Sequence, residues 1–489
     1  MRYLAGFGTG VRYGVHCFNY TNLARGIVER VFYVRRGEGL APAPQPSVGV
    51  FSRLNAVRQR LLRAVRPTPV VARDEYPGLY TGRKRGVYER ALESLKVRAI
   101  NFRDAWVNTF VKAEKVNLDS KGDPAPRVIQ PRSPRYNLEV GRYLKLFEKE
   151  LCAGFERVWG YPVVLKGKNA QDVGAAMADH WQQFAQPVAV GLDASRFDQH
   201  VSKDALRWEH SVYNSVFNSP ELRRLLQWQL RNHGIARVED LIVEYDIEGC
   251  RMSGDINTGL GNCLIMSSIV IAYCEQAGIY FRLANNGDDC VLFVDKADLG
   301  ALAGIDQWFL DFGFTLTREE PVYVLEQVVF CQAQPVLTST GWRMVRDPRT
   351  AMSKDCVSLL GWDNAQSFKL WASAIGACGL SLTRGVPVWE AWYSRLVHLG
   401  AGAVSQGVAD HVWDSGLGYM SRGVLGGEVD AEARVSFYRA FGILPDLQEA
   451  LEAEYACPMP IGSPTPMMHP SIVAIDTTCN PLATWLAAK

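Results

Sequence analysis

Long apolar runs, paired cysteines and histidine metal signatures are all missing from this 489-residue chain. Its richest apolar stretch, LIMSSIVIAYC from Leu264 to Cys274, falls well short of the roughly 20 residues a membrane helix needs. It is expected to be buried core, and no transmembrane segment is expected. The opening MRYLAGFGTGVRYGVHCFNY lacks an apolar block followed by a small-residue cleavage site, so no secretory signal is read there and a cytosolic location is the default. The 11 cysteines form no CxxC pair and the 8 histidines no HExxH, which argues against a disulfide framework or a dedicated zinc site. No internal repeat is visible.

What is present is a chain that is 48% hydrophobic, enough for a large core divided among two or more lobes. Net charge is only +2, yet residues 53–145 hold 21 Lys or Arg against 9 Asp or Glu. A basic region of this kind draws in phosphate backbones, while acidic residues elsewhere can hold cations. Leu54, Val57, Leu61, Leu62 and Val65 recur at helical spacing over Ser52 to Arg66, and Pro67 ends the pattern. A second helix is expected from about Val87 to Val111. Phe110 to Lys149 then breaks at Gly122, Pro124 and Pro126, which predicts a basic strand–turn–strand element lining a channel, since unpaired charge is costly to bury. Residues 188–345 alternate extended and helical segments, so an α+β domain with a mixed or antiparallel sheet is expected. From about 350 the pattern is mainly helical. The segment PMPIGSPTPMMHP, Pro458 to Pro470, reads as an irregular C-terminal extension.

Two acidic elements carry the chemistry. In PVAVGLDASRFDQHVS, Asp193 and Asp198 follow a β-type run. On a helix that spacing would set them about 140° apart, whereas a strand end and its following turn let one face a metal and the other a nucleotide pocket, with Phe197 anchoring the turn. In IYFRLANNGDDCVLFVD, Asn286-Gly287 is a hairpin-turn signal between two apolar runs, placing Asp288 and Asp289 at the tip or at the start of the second strand. Adjacent carboxylates repel and gain no packing, so a hard cation accounts for them best. With Asp193 they would supply a two-metal phosphoryl-transfer site, its ions about 3.5–4 Å apart. Asp193 and Asp288 are the main candidate ligands, bridging or terminal, and Asp289 a supporting one. Mg²⁺ is the expected ion, two per site, with Mn²⁺ as a substitute.

Between these elements lies RMSGDINTGLGNCLIMSSIV. Ser253 and Gly254 make a flexible approach on the template path, and Thr258 and Asn262 share a helical face. Together with Asp198 they are suited to reading a ribose 2′-hydroxyl. Arg127, supported by Lys112 and Lys115, is the leading triphosphate contact, because a guanidinium offers a rigid fork to phosphate oxygens. Arg132 and Arg135 would continue that path, and Arg83, Lys84 and Arg85 would meet template phosphates. An RNA-templated DNA polymerase would share the metal chemistry but would exclude the 2′-hydroxyl with bulk. A non-enzymatic RNA-binding or capsid protein would leave the acidic triad without a purpose.

These residues resemble the polymerases of tombusvirus-like positive-strand RNA viruses. GLDASRFDQHVS is similar to motif A, MSGDINTGLGN to motif B, NNGDDCVLF to motif C, and FVKAEKVN with PAPRVIQPRSPRYNLEVGRYLK to motif F. EEPVYVLEQVVFCQAQPV resembles the later palm motifs, with Phe330, Cys331 and Gln332 at the primer-grip turn. The resemblance runs through most of residues 10–400. It implies a closed right hand: N-terminal extension and fingers over 1–187, palm over 188–215 and 251–345, a fingers insertion over 216–250, and thumb with C-terminal extension over 346–489. It also implies primer-independent RNA synthesis on an RNA template from ribonucleoside triphosphates, at host membranes reached through a viral replication protein. Two departures stand out. No membrane-anchoring N-terminal region is evident. No lysine lies between Lys296 and Lys354, where such enzymes often place a proton donor to pyrophosphate; Arg318 is the nearest basic group and would stabilise charge there.

Overall fold

The alternation that runs through VAVGLDA and DCVLFVD builds the centre of the molecule. In the computed structural model, which describes residues 2–4, 11–359, 364–401, 403 and 418–456, four antiparallel strands form one sheet. They are β1 (Pro187–Ala194), β2 (Arg282–Asn286), β3 (Asp289–Asp295) and β4 (Leu316–Arg318), in the order β2-β3-β1-β4. Side chains on a strand alternate between faces. Val190, Leu192, Leu283, Cys290, Leu292 and Val294 therefore enter one core cluster. Ala189, Ala284, Val291 and Phe293 enter another, against the helix Ala170–Gln182.

Three helices contribute to the first of these cores: α1 (Pro134–Trp159), α2 (Lys203–Phe217) and α3 (Thr258–Ala277). Pro134 in its first turn and Gly160, at φ 77°, mark the two ends of α1, as the N-terminal proline and C-terminal glycine preferences require. The apolar run seen in the sequence belongs to α3. Its residues from Leu260 to Cys274 are buried all round, each large aliphatic side chain contributing about 1.5–3 kcal/mol. By length and composition α3 could cross a membrane, but 83% of its apolar window is buried inside the protein.

Several expectations hold. Residues 55–64 form a helix entered through a 3₁₀ turn, with Leu54, Val57 and Leu61 buried. The basic element is a strand pair, Phe110↔Ile129 and Val111↔Val128. The region beyond 350 is helical where described. The helix expected over 87–111 is shorter, ending at Val97. There Asn101 caps a new 3₁₀ turn, Phe102–Ala105, reciprocally with Asp104, and the chain becomes extended at Val107. Pro458 to Pro470 lies outside the described residues. The class is mixed α+β.

The N-terminal segment returns to the far end of the chain. Arg2 and Tyr3 pair in register with Ser358 and Val357, and the Leu4 amide donates to the Cys356 carbonyl at 2.8 Å. Tyr13 Oη lies 3.0 Å from Ser353 Oγ.

Under α3 sits a wholly buried ion pair, Arg251 with Glu209. Tyr213 and Asn257 both donate to Glu209 Oε1 at 2.8 Å. Gly261 is required there, because a Cβ would overlap both charged side chains. Removing one partner strands the other charge in a dry interior. Arg251→Met should therefore lower unfolding free energy by about 3–5 kcal/mol, read as an earlier midpoint in urea by circular dichroism; an unchanged midpoint would refute the role given to this pair.

Candidate active site

The hairpin that joins β2 to β3 has a two-residue turn, Gly287-Asp288, with Asn286 paired to Asp289. Gly287 takes φ 85°, the left-handed first position that suits a tight hairpin. The turn is held from below: Asn285 Nδ2 donates to the Gly287 carbonyl at 2.8 Å, and the Gly287 amide donates to Cys263 Sγ at 3.1 Å. β3 then pairs with β1 so that Asp289 stands opposite Asp193. Directly opposed residues carry their side chains on one face, Cβ atoms about 4.5–5.5 Å apart. This is the face of Ala189 and Val291, and Asp193, Asp288 and Asp289 are exposed at its open end.

A further carboxylate joins them. Thr317 of β4 is opposite Asp193, and the Glu319 amide donates to the Gly191 carbonyl at 2.9 Å. A Cβ at Gly191 would overlap the Glu319 carboxylate, so this glycine opens the place where Glu319 lies. Burial, then the charges of Asp288, Asp193 and Glu319, raise the Asp289 carboxyl above its usual range. Burial and Asp193 raise Glu319 in the same direction. Among the described residues, no set of three or more His, Cys, Asp or Glu side chains is drawn together as a ready-made metal cage. Carboxylates that repel one another suit a hard divalent ion that takes one or two protein oxygens and completes its shell with phosphate and water.

Beyond β1 the chain turns at Arg196, φ 49°, into the short helix Phe197–His200. Phe197 stacks on Phe314 at 4.7 Å between centroids and fixes that turn. Asp198 points to the first turns of α3 and the loop before it: Asn262 Nδ2 donates to its Oδ1 at 2.8 Å, and Ser253 Oγ donates to its Oδ2. Arg251 Nε donates to Asn262 Oδ1 at 3.3 Å, so the buried ion pair orients the amide that orients Asp198. Burial raises the Asp198 carboxyl above its usual range, against the effect of these hydrogen bonds. Gly254 lies against the chain just after the basic strand pair: a Cβ there would be 2.8 Å from the Pro131 nitrogen.

Residues 1–457 match the family described as viral RNA dependent RNA polymerase. The chain belongs to that family. It is 48% identical over 459 residues to the RNA-directed RNA polymerase of turnip crinkle virus, covering 93% of this chain and 59% of that protein. Against the enzyme of melon necrotic spot virus identity is 42% over 487 residues, 98% and 61% of the two chains. Against that of tomato bushy stunt virus it is 44% over 457 residues, 92% and 55%. The chain thus spans about three-fifths of the length of these relatives. The tombusvirus-like resemblance read from the motifs agrees with all three.

Within this family member the basic residues divide sharply. Arg127 is exposed, and it and Lys112 share Glu114 at 3.2 and 2.9 Å. Both ion pairs are partly open to solvent. Lys115 turns away, its ammonium donating to the Lys354 carbonyl at 2.7 Å; burial lowers it to about 8. Arg132 and Arg135 do not line a path. Arg132 is buried and paired with Asp255 while donating to Asn232 Oδ1 at 2.6 Å, and Arg135 binds Asp104 at 2.9 Å. Their charges are matched internally, which removes the cost that had argued for a channel position. Arg318 is opposite Leu192 in register, on the sheet face away from Asp193, and donates to the Leu302 carbonyl at 2.9 Å. It is not placed to meet pyrophosphate at the carboxylates. The Thr258 hydroxyl donates to the Met252 and Asp255 carbonyls, closing the loop before α3.

Lys84 lies 5.0 Å from the Tyr80 ring centroid and borders, with Lys145 and Lys166, a cavity of about 380 Å³ beside Gly254. Arg85 pairs with Glu89 at 2.8 Å on the same helix as Arg83, and both arginines are exposed. Phe330 is buried, and Cys331 and Gln332 make a two-residue turn at φ 51° and 61°. Asn286 Nδ2 donates to Cys331 Sγ at 3.2 Å, so this turn abuts the acidic hairpin. Burial, then the Asp289 charge, push the Cys331 thiol up to about 12.

The raised Asp289 and Glu319 carboxyls bind protons more tightly in the folded chain than in the unfolded one. Their contribution to stability is present below the ordinary carboxylate range and is lost as pH rises through the raised values. A divalent cation held there would replace the missing proton. Magnesium should therefore raise Tm at pH about 7.5 and do so less at pH about 5, where protons compete more strongly with the cation for the raised carboxyls. Scanning fluorimetry reads both, and the gain should shrink in Asp289→Asn; an equal gain at both pH values would contradict this electrostatic account.

Proposed function

We propose that this chain catalyses RNA-templated RNA synthesis from ribonucleoside triphosphates, copying a positive-strand viral genome, with initiation that needs no primer. The observation that carries the proposal is the in-register pairing of Asp193 with Asp289, beside a turn that carries Asp288. These carboxylates would hold Mg²⁺, two ions in the full reading, with Mn²⁺ able to substitute. Bound there, the metal supplies activation of a 3′-hydroxyl and charge neutralisation on the triphosphate. The chain's own residues do the positioning. Asp198, fixed by Ser253 and Asn262, offers an acceptor to a ribose 2′-hydroxyl, and Thr258 shapes the loop around it. Arg127 and Lys112 bind the triphosphate once it displaces Glu114. The Phe330–Gln332 turn guides the primer end, and Arg83, Lys84 and Arg85 take template phosphates.

In this reading residues 1–187 and 216–250 are fingers with their N-terminal extension, 188–215 and 251–345 palm, and 346–489 thumb with its extension. Pairing of Arg2 and Tyr3 with Ser358 and Val357, and the Lys115 to Lys354 bond, support fingers closed onto the thumb side. RNA template and product are the partners. A viral replication protein would supply attachment to membrane-associated replication complexes in the host cytoplasm.

Asp288→Ala should lower templated nucleotide incorporation by about 10²-fold or more while RNA binding changes little, because the carboxylate serves the metal and not the RNA backbone. Retained incorporation would overturn the proposal. On a defined RNA template, UTP should be preferred over dTTP by about 10²-fold or more, since the Asp198 pocket is built to hydrogen-bond a hydroxyl. Comparable use of dTTP would remove Asp198 from sugar recognition.

A further inference from the structure

A second aromatic and cationic site lies outside the carboxylate cleft. Residues Phe102, Trp106, Trp228, Arg231, His233 and Asp246 line a surface pocket of about 270 Å³, floored by Ala105. The Trp106 and His233 rings are 4.3 Å apart between centroids. Arg103 lies 5.7 Å from the Trp106 centroid and Arg224 5.5 Å from that of Trp228. Phe102 is 55% exposed, so a large aromatic face stands in water at the rim.

The charges around the pocket favour an anion. Among the described residues, Arg103, Arg224 and Arg231 have no carboxylate within ion-pair distance. The acid in the lining, Asp246, is engaged by His233 at 3.3 Å. Glu248, opposite Arg231 in the ladder, is held by Lys203 at 3.0 Å. Phe102 to Trp106 also fall within residues 53–145, the basic region of the sequence, whose excess charge the active-site reading leaves largely unused.

We propose that this pocket binds an unpaired base of single-stranded RNA. Flat aromatic faces accept any base by stacking, and arginines beside them take the flanking phosphates and add cation–π attraction. The pocket has room for one planar group and too little for a helix or a folded partner. Its floor is fixed to the loop before α3, because Arg132 donates to the Ala105 carbonyl while paired with Asp255. RNA held at the pocket is thereby anchored on the same frame as Ser253 and Asp198. The site is independent of metal chemistry, so its failure and that of the polymerase proposal can be told apart.

The test uses the full chain and a short oligoribonucleotide with 4-thiouridine, in wild type and in Asp288→Ala. Photo-crosslinks are expected on peptides that contain Trp106 or Trp228, equally in both proteins. Trp106→Ala and the surface charge reversal Arg231→Glu should each weaken binding of the unlabelled strand about fivefold or more, and the loss in Trp106→Ala should be smaller for an abasic strand. Circular dichroism checks the fold of Trp106→Ala, and Arg231→Glu, on an exposed side chain, gives the answer if that variant misfolds. Crosslinks confined to other peptides would overturn the proposal. So would equal losses for abasic and base-bearing strands in Trp106→Ala, which would mark a surface that reads phosphate alone, or a stronger response to an acidic peptide than to RNA.

Discussion

The pairing of β1 with β3 places like charges directly opposite one another, an arrangement that destabilises a sheet. Everything near the site serves to hold that register. Buried positions on both faces of the sheet lock it, since a slip by one residue would send Leu192 and Leu292 to the wrong core. The Asn285 side chain and the Cys263 thiol brace the turn that presents Asp288. Gly191 makes space for Glu319. The repulsion is thus maintained by the surrounding core, and the raised Asp289 and Glu319 carboxyls are its consequence.

A second polar unit is just as constrained. The Glu209–Arg251 pair is sealed beneath α3 and reaches Asp198 through Asn262. This makes Asn262 a positioning residue: both ends of its amide are occupied within the protein. Buried ion pairs are poor sources of stability but define one geometry. Here that geometry concerns the carboxylate next to the metal-binding candidates.

Much of this was legible in the primary structure. Asn286-Gly287 between apolar runs gave the hairpin, and period-two alternation in VAVGLDA gave the neighbouring strand. The Thr258 to Asn262 spacing gave a shared helical face. What stayed hidden depends on tertiary pairing. Arg132 and Arg135 look like channel residues because their partners, Asp255 and Asp104, are 123 and 31 residues away. Glu319 becomes part of the site only through the register of β4, a three-residue strand too short to show periodicity. Arg318 faces away from the carboxylates for the same reason. The helix expected to reach Val111 stops at Val97 because a local cap at Asn101 outweighs continued helical spacing.

The most direct measurement is a crystal structure with Mn²⁺ and a nonhydrolysable ribonucleoside triphosphate, read by anomalous scattering. The account predicts manganese between Asp193 and Asp288, with Asp289 alongside and the triphosphate completing the coordination. Manganese bound elsewhere while β1 and β3 keep their register would contradict it.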